Sequence, residues 1–221
     1  MKSKIILLLF GAIILSCSGL RQFEKRDNDG RVKKLENYYG NFLKSEENYS
    51  YSGDSKNPSK IVYKARRNGK LVPVKEERYI FRGSHLLKLS FYKYTSDGKK
   101  LSGQILYSYR NDLLSRIEYY KKDNRTRRLH IIVQDRYQYK KRNLLKRRFI
   151  EYTLNPATRQ PMQVGQYVIR YRAKKPVSMK TWVMKDNKLI STTISDSARI
   201  SKKISLLEKY YLAQSKDENL K

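Results

Sequence analysis

Few side chains in this sequence have a reactive repertoire. Cys17 is the single cysteine, a thiolate nucleophile in the right setting, and without a second thiol no intrachain disulfide can form. His85 and His130 stand far apart with no neighbouring Cys or His at metal-ligand spacing, so both read as strand or surface residues. Glu46-Glu47 and Glu76-Glu77 are adjacent pairs. Neighbours on a strand face opposite ways, so neither pair reads as an acid/base couple. There is no Gly-x-Ser-x-Gly elbow, phosphate loop or His-Glu-x-x-His. The pattern points away from an enzyme and implies no cofactor and no metal.

Positive charge is what the chain has in abundance. Lys+Arg is 50 against 20 Asp+Glu, a formal net charge of +30. Such a surplus attracts phosphate, sulfate and carboxylate surfaces, with binding that weakens as salt rises. The cations form runs. Lys121-Lys122 with Arg125, Arg127 and Arg128 lies in the loop between two central hairpins. Lys140-Lys141-Arg142 sits at a hairpin turn, as do Lys174-Lys175. If the strands meander, successive turns alternate ends. Arg110, Lys140–Arg142 and Lys174-Lys175 then gather at one end, and Lys99-Lys100 with Lys121–Arg128 at the other. A charge run marks a solvated face or an anion-binding surface, and both readings stand at this point.

The elements that must position these residues are strands. The 19 tyrosines and regularly spaced Leu, Ile and Val argue for a folded domain despite 32% charged residues. Gln104–Tyr152 gives Tyr-x-Tyr, a polar turn, Leu-Leu and an aromatic-ended strand twice over. Tyr107, Tyr109, Asn111-Asp112, Leu113-Leu114 and Tyr119 recur as Tyr137, Tyr139, Arg142-Asn143, Leu144-Leu145 and Tyr152. Ile105, Tyr107 and Tyr109 alternate with Gln104, Leu106, Ser108 and Arg110; Ile131, Val133, Tyr137 and Tyr139 alternate with Gln134, Arg136, Gln138 and Lys140. One face is therefore apolar and aromatic, the other polar and basic. The tyrosines line and cap the sheet core with hydroxyls reaching solvent, or they form a stacking platform for sugar or lipid. Asp135 interrupts the apolar face with no partner visible in the sequence.

Asn68-Gly69 between apolar runs predicts a tight hairpin, and Pro73 puts the second of its strands at an edge or bulge. Val164–Arg172 and Val177–Met184 form a pair around Lys174-Lys175-Pro176, followed by a strand over KLISTTI. Val32, Leu35, Tyr39 and Phe42 recur at helical spacing and predict a short helix over RVKKLENYYGNFLK. Residues 45–59 read as a loop. Ile200, Ile204, Leu207 and Tyr211 share one face of a closing helix. The expected fold is mainly β: an antiparallel meander sheet or open half-barrel of about eleven strands, flanked by an N-terminal and a C-terminal helix. The expected domains are a signal peptide over 1–16, a polar tether over 17–30, a single β-rich domain over 31–212 and a polar tail over 213–221.

Met1–Cys17 combines Lys2 and Lys4 with an apolar stretch Ile5–Leu15 that is short for a membrane span and fits a secretory signal. Ile14-Leu15-Ser16-Cys17 resembles the lipobox of bacterial lipoproteins, with Leu15 the departure found in the looser spirochaete form. The resemblance implies cleavage before Cys17, a diacylglyceryl thioether on its sulfur and an acylated amine that could carry palmitate. Two or more acyl chains hold a protein on a membrane durably. Ser18 stands where an Asp retains lipoproteins in the inner membrane of enteric bacteria, so the resemblance implies the outer membrane. An ordinary cleaved signal with an incidental cysteine is the plainer alternative.

Tyr92-Lys-Tyr94-Thr-Ser-Asp97-Gly98-Lys-Lys-Leu101 and Tyr107-Ser-Tyr109-Arg-Asn-Asp112-Leu-Leu look like YD-type repeats, the Tyr-rich units of bacterial surface shells. The match is degenerate and implies a winding antiparallel sheet only. Together with the lipobox, these features resemble spirochaete, leptospiral-type outer-membrane lipoproteins. An exported, membrane-tethered basic protein has lipopolysaccharide, anionic phospholipid or sulfated glycan as candidate partners. Nucleic acid offers the same electrostatics but lies in the wrong compartment. By fold analogy alone, the half-barrel is similar to lipoprotein carriers that hold acyl chains in an apolar hollow.

Overall fold

The computed structural model describes residues 19–185 and 188–217. Cys17, the signal peptide and the end of the expected tail lie outside the described residues. Among the described residues thirteen strands pair in sequence order in one antiparallel sheet, and a single helix follows them. They are β1 (Leu20–Arg26), β2 (Val32–Tyr39), β3 (Phe42–Tyr51), β4 (Pro58–Arg67), β5 (Lys70–Arg82), β6 (His85–Thr95) and β7 (Gly98–Arg110). Then come β8 (Leu113–Lys122), β9 (Leu129–Lys140), β10 (Asn143–Leu154), β11 (Pro161–Arg172), β12 (Lys175–Lys185), β13 (Lys188–Ile194) and α1 (Ser197–Lys216). The mainly β meander expected from the alternation is what the chain forms. Three of the thirteen, β1–β3, lie before residue 58, where a tether, a helix and a loop were expected, and ten follow. The chain divides into two compact units, one up to Tyr79 with Lys93–Lys100, the other Ile80–Tyr92 with Leu101 onward.

In the first unit three sequence expectations fail for a shared reason. The expected helix at 31–44 is the β2–β3 hairpin, the expected loop at 45–59 is mostly strand, and β1 occupies part of the polar tether. Tyr39 and Phe42, two of the four residues that suggested a helical stripe, are exposed, and Gly40 between them adopts φ +59°. The polar residues decide the structure. Lys25 Nζ lies 3.1 Å from Glu36, and Glu46 binds Lys34 (3.0 Å) and Lys64 (2.6 Å) across neighbouring strands. Glu46 faces Lys64 directly, whereas Lys25–Glu36 and Lys34–Glu46 are diagonal neighbours that offset the like charges facing at Lys25/Lys34 and Glu36/Glu46. Such opposite-charge neighbours stabilise a sheet as apolar pairs do. Apolar periodicity alone misses this. At the β4–β5 hairpin, Asn68-Gly69 takes positive φ at both residues, as a type I′ turn requires. The register shift opposite Tyr63/Lys64 falls beside Pro73, the bulge that proline predicted.

The second unit has two layers. Ile105, Val133, Phe149, Ile169 and Met179 on one sheet face are at most 1% exposed, and α1 covers that face with Ile200, Ile204 and Tyr211. Asp196 caps the helix by accepting from Arg199 N at 2.6 Å. The helix runs to Lys216, into the expected polar tail, because Ala213 and Ser215 are buried. Gly103 permits this approach. A Cβ there would stand 2.0 Å from the Ser215 carbonyl oxygen and 2.6 Å from that of Tyr120.

Asp135 has its partner across the sheet. Fully buried, it accepts from Arg147 Nε (3.0 Å) and Nη2 (2.6 Å) and from the Tyr137 hydroxyl (2.6 Å). Arg147 also reaches Glu208 of α1 at 2.6 Å and lies over the rings of Phe149 and Tyr137. Burial disfavours the guanidinium charge, but the Asp135 carboxylate outweighs it and raises the Arg147 pKa. Three tyrosine hydroxyls, across both units, are held by carboxylates rather than left to solvent. Tyr49, Tyr79 and Tyr137 each donate to the carboxylate two residues earlier, Glu47, Glu77 and Asp135.

Candidate anion-binding surface

Three hairpin turns of the second unit lie at one end of its strands. The β7–β8 turn is Asn111-Asp112, the β9–β10 turn Lys141-Arg142 and the β11–β12 turn Ala173-Lys174, each with both residues at positive φ. The central repeat is therefore offset by one residue from the sequence alignment, which set the second turn at Arg142-Asn143. Likewise Lys175 and Pro176 open β12 rather than forming its turn. Lys and Arg are costly at such positions, where Asn and Gly are at ease. The turns carry Arg110, Lys140, Lys141, Arg142, Lys174 and Lys175, all exposed. The hairpins project separately, since β8–β9 pairing stops at Arg116↔Arg136 and β10–β11 pairing at Lys146↔Arg170.

The expected gathering of Arg110, Lys140–Arg142 and Lys174-Lys175 at one end is what the topology produces. Lys121, Lys122, Arg125, Arg127 and Arg128 lie at the other end, about 30 Å away along a ten-residue strand. The eleven candidate cations thus form two groups.

Sequence reasoning missed the residues that extend the first group. Arg116, Arg136 and Arg148 sit directly opposite one another on β8, β9 and β10, on the face away from α1. Val168 and Lys180 continue the row on β11 and β12. In the next row toward the turns, Gln138, Lys146 and Arg170 are aligned. The rows span five strands, about 19 Å across. Arg136 Nε donates to Gln134 Oε1 at 2.6 Å, and Arg116 Nε is 3.6 Å from Glu118. Lys180 lies over the Trp182 ring at 5.0 Å. Among the described residues Arg148, Lys146 and Arg170 form no ion pair. Like charges directly opposite on adjacent strands destabilise a sheet. The polar, basic alternation of β9 was legible, but the alignment of three arginines depends on bulges at Ser115, Ile132 and Leu145. The bulge at Ile132 also turns Ile131 to the outer face, opposite Tyr120.

At the other end, Asp123 organises the basic loop. Its carboxylate accepts from Arg125 N (3.3 Å), Thr126 N (3.2 Å), Thr126 Oγ1 (2.9 Å) and Arg159 Nη2 (2.6 Å). The Arg159 guanidinium, foremost, holds the Asp123 pKa well below the usual carboxylate range. The β10–β11 loop repeats the design. Asn155 Oδ1 accepts from Ala157 N and Thr158 N, and Arg159, like Arg127, sits at positive φ. The shared Asp/Asn-x-x-Thr-Arg pattern at 123–127 and 155–159 was present in the sequence. His85 packs edge-on against Tyr109 at 4.3 Å. Among the described residues no cluster of His, Cys, Asp and Glu could hold a metal ion, and no helix is long and apolar enough to cross a membrane.

No family model matches this chain, and no curated protein does. Several solved structures resemble it at low identity. One is a protein of unknown function from Bacteroides fragilis, 10% identical, with a TM-score of 0.41 over 56% of this chain and 93% of its own. A DUF3836 family protein from Bacteroides vulgatus is 14% identical, with a TM-score of 0.35 over 40% of this chain and 90% of its own. Another from Parabacteroides distasonis is 9% identical, with a TM-score of 0.26 over 57% and 96%.

Proposed function

We propose that this chain is a non-enzymatic envelope protein, exported and held by acyl groups on Cys17, whose basic sheet face binds phosphate head groups of anionic lipid. Phospholipid and lipopolysaccharide both present that chemistry. The observation that carries the reading is the row Arg116, Arg136 and Arg148, backed by Lys146 and Arg170 and flanked by the basic turns. Cations spread over several strands and rows match an array of head groups. A single groove would suit one linear polymer. Each Lys or Arg near an anionic membrane contributes about 1 kcal/mol of attraction, screened by salt. The surface therefore acts as the second membrane signal beside an acyl anchor.

The test uses the Cys17→Ser chain, which cannot take the thioether lipid, with vesicles of neutral or partly anionic phospholipid. Binding to the anionic vesicles alone, lost near 1 M salt, is the expected result. Equal binding to neutral vesicles, or retention unchanged at about 1 M salt, where the Debye length is near 3 Å, refutes it. Tighter binding to heparin than to vesicles assigns the face to sulfated glycan instead. The carrier reading has no comparable support, since α1 covers the apolar face of the second unit.

A further inference from the structure

A separate cleft of about 650 Å³ opens between the C-terminal half of α1 and the far end of β8–β11. None of the outer-face arginines lines it. We propose that this cleft is a binding site for a small, ring-bearing phosphate monoester, which goes beyond the lipid-surface reading.

Charge, shape and unmet hydrogen bonds each support the assignment. Lys121, Lys122, Arg125 and Arg159 line the cleft against two carboxylates, Asp123 and Glu151. Counting Asp217, which binds Lys121, four cations stand against three carboxylates, a surplus of one positive charge carried by Lys122 and Arg125. It attracts a phosphate monoester, of roughly −1.5 to −2 at neutral pH, more strongly than the singly charged sulfate ester. Both carboxylates are already engaged, Asp123 by Arg159 and Glu151 by the Tyr211 hydroxyl. Lys121 is held by Asp217 at 3.1 Å. Lys122 and Arg125 form no ion pair among the described residues.

Two polar atoms of the lining residues lack partners. His130 Nδ1 and Arg159 Nε are buried and meet no hydrogen-bond partner among the described residues, and both residues line the cleft. A buried polar group left without a partner costs about 1–3 kcal/mol, so a small shift of either side chain toward a bound oxygen is favoured. Burial, with Arg159 and Lys121 nearby, lowers the His130 pKa against the opposing pull of Asp123. The shift favours the neutral imidazole, whose ring nitrogen offers a hydrogen bond without adding charge.

The cleft is also partly apolar. Val133 and Val164 contribute to its lining, and Tyr210 stands edge-on to Tyr211 with ring centroids 5.6 Å apart. Tyr210 is 47% exposed and can meet a planar or saccharide ring. The volume is that of a small-molecule pocket.

The full chain is titrated calorimetrically with p-nitrophenyl phosphate, inorganic phosphate, p-nitrophenyl sulfate and p-nitrophenol at fixed ionic strength. Saturable binding in the order nitrophenyl phosphate, inorganic phosphate, nitrophenyl sulfate is expected, with none for nitrophenol. Lys122→Gln with Arg125→Gln should weaken both phosphates by about tenfold or more, the loss of charge-assisted hydrogen bonds. Tyr210→Ala should weaken nitrophenyl phosphate by about fivefold and leave inorganic phosphate unchanged. Arg116→Gln, Arg136→Gln and Arg148→Gln together should change neither, so this site and the lipid-binding face fail or stand separately. No saturable binding of nitrophenyl phosphate, or equal weakening by the outer-face variant, overturns the proposal. Monomeric dihexanoyl phosphatidic acid presents the lipid form of the same head. Tighter binding of it than of nitrophenyl phosphate overturns the ring-bearing assignment in favour of a lipid head.

Discussion

Replacing Arg147 with Met tests the core of the second unit through its least typical contact. The substitution keeps an apolar stem beside the rings of Phe149 and Tyr137, over which the guanidinium lies at 4.4 and 4.9 Å. It removes two donors from Asp135, which is 0% exposed and keeps only the Tyr137 hydroxyl. Breaking a buried pair on one side strands a charge and costs about 3–5 kcal/mol. Asp135→Leu combined with Arg147→Met removes both charges but leaves the Tyr137 hydroxyl without its acceptor, so it should cost about 1–3 kcal/mol, clearly less than the single variant. Glu208→Gln touches the same guanidinium from a side chain 45% exposed and should cost less than about 1 kcal/mol. Urea unfolding followed by Trp182 fluorescence reports on this unit, with ΔΔG taken from the midpoint at unchanged slope. A single-variant cost under about 1 kcal/mol would refute the reasoning. So would a double variant as damaging as the single one.

Three further outcomes follow from the same geometry. Gly103→Ala drives a methyl group into the Ser215 carbonyl, and an overpacking cost of about 1–3 kcal/mol should appear in urea melts together with weaker exchange protection in the last turn of α1. Lys141→Asn with Arg142→Gly suits the type I′ turn, whose residues now sit at φ +47° and +65°, and should raise stability by about 1 kcal/mol while weakening retention on anionic vesicles. For Glu46, burial is outweighed by hydrogen bonds from Lys64, Asn48 and Lys34, bringing its pKa to about 2; for Glu76, burial is outweighed by Tyr94, Lys99 and Arg78, to about 2. Folded values below the ordinary 4.5 mean a stabilisation complete above about pH 4.5 and lost as pH falls toward 2. Glu46→Gln with Glu76→Gln should flatten that acid limb in a melting-temperature series.

How much of this was legible in the sequence depends on whether a residue's partner is local. Asn68-Gly69, the alternation of Ile105–Tyr109 and the Ile200–Tyr211 stripe each carry their signal within a few positions, and the structure holds each as read. The first unit was misread because Glu36, Glu46 and Lys64 are stabilised by partners on neighbouring strands, which an apolar-spacing rule does not see. A local signal did exist there: an acidic residue two places before Tyr49 and Tyr79 places carboxylate and hydroxyl on the same strand face, as at Tyr137 in the second unit. Asp135 looked out of place because Arg147 reaches it only through the β9–β10 register. The arginine row needed that register and three bulges as well. The cleft is less legible still. It joins His130, Arg159 and Tyr210 from two loops' ends and a helix, which no spacing in the chain connects.

The most direct measurement is the affinity of the Cys17→Ser chain for anionic vesicles, compared between two triple variants. One replaces Arg116, Arg136 and Arg148 by Gln; the other replaces Arg125, Arg127 and Arg128 by Gln. At about 1 kcal/mol per arginine near the membrane, the outer-face variant should lose roughly two orders of magnitude in affinity. The loop variant should lose far less. Equal losses, or an outer-face variant that binds like its parent, would contradict the assignment of that face to anionic lipid.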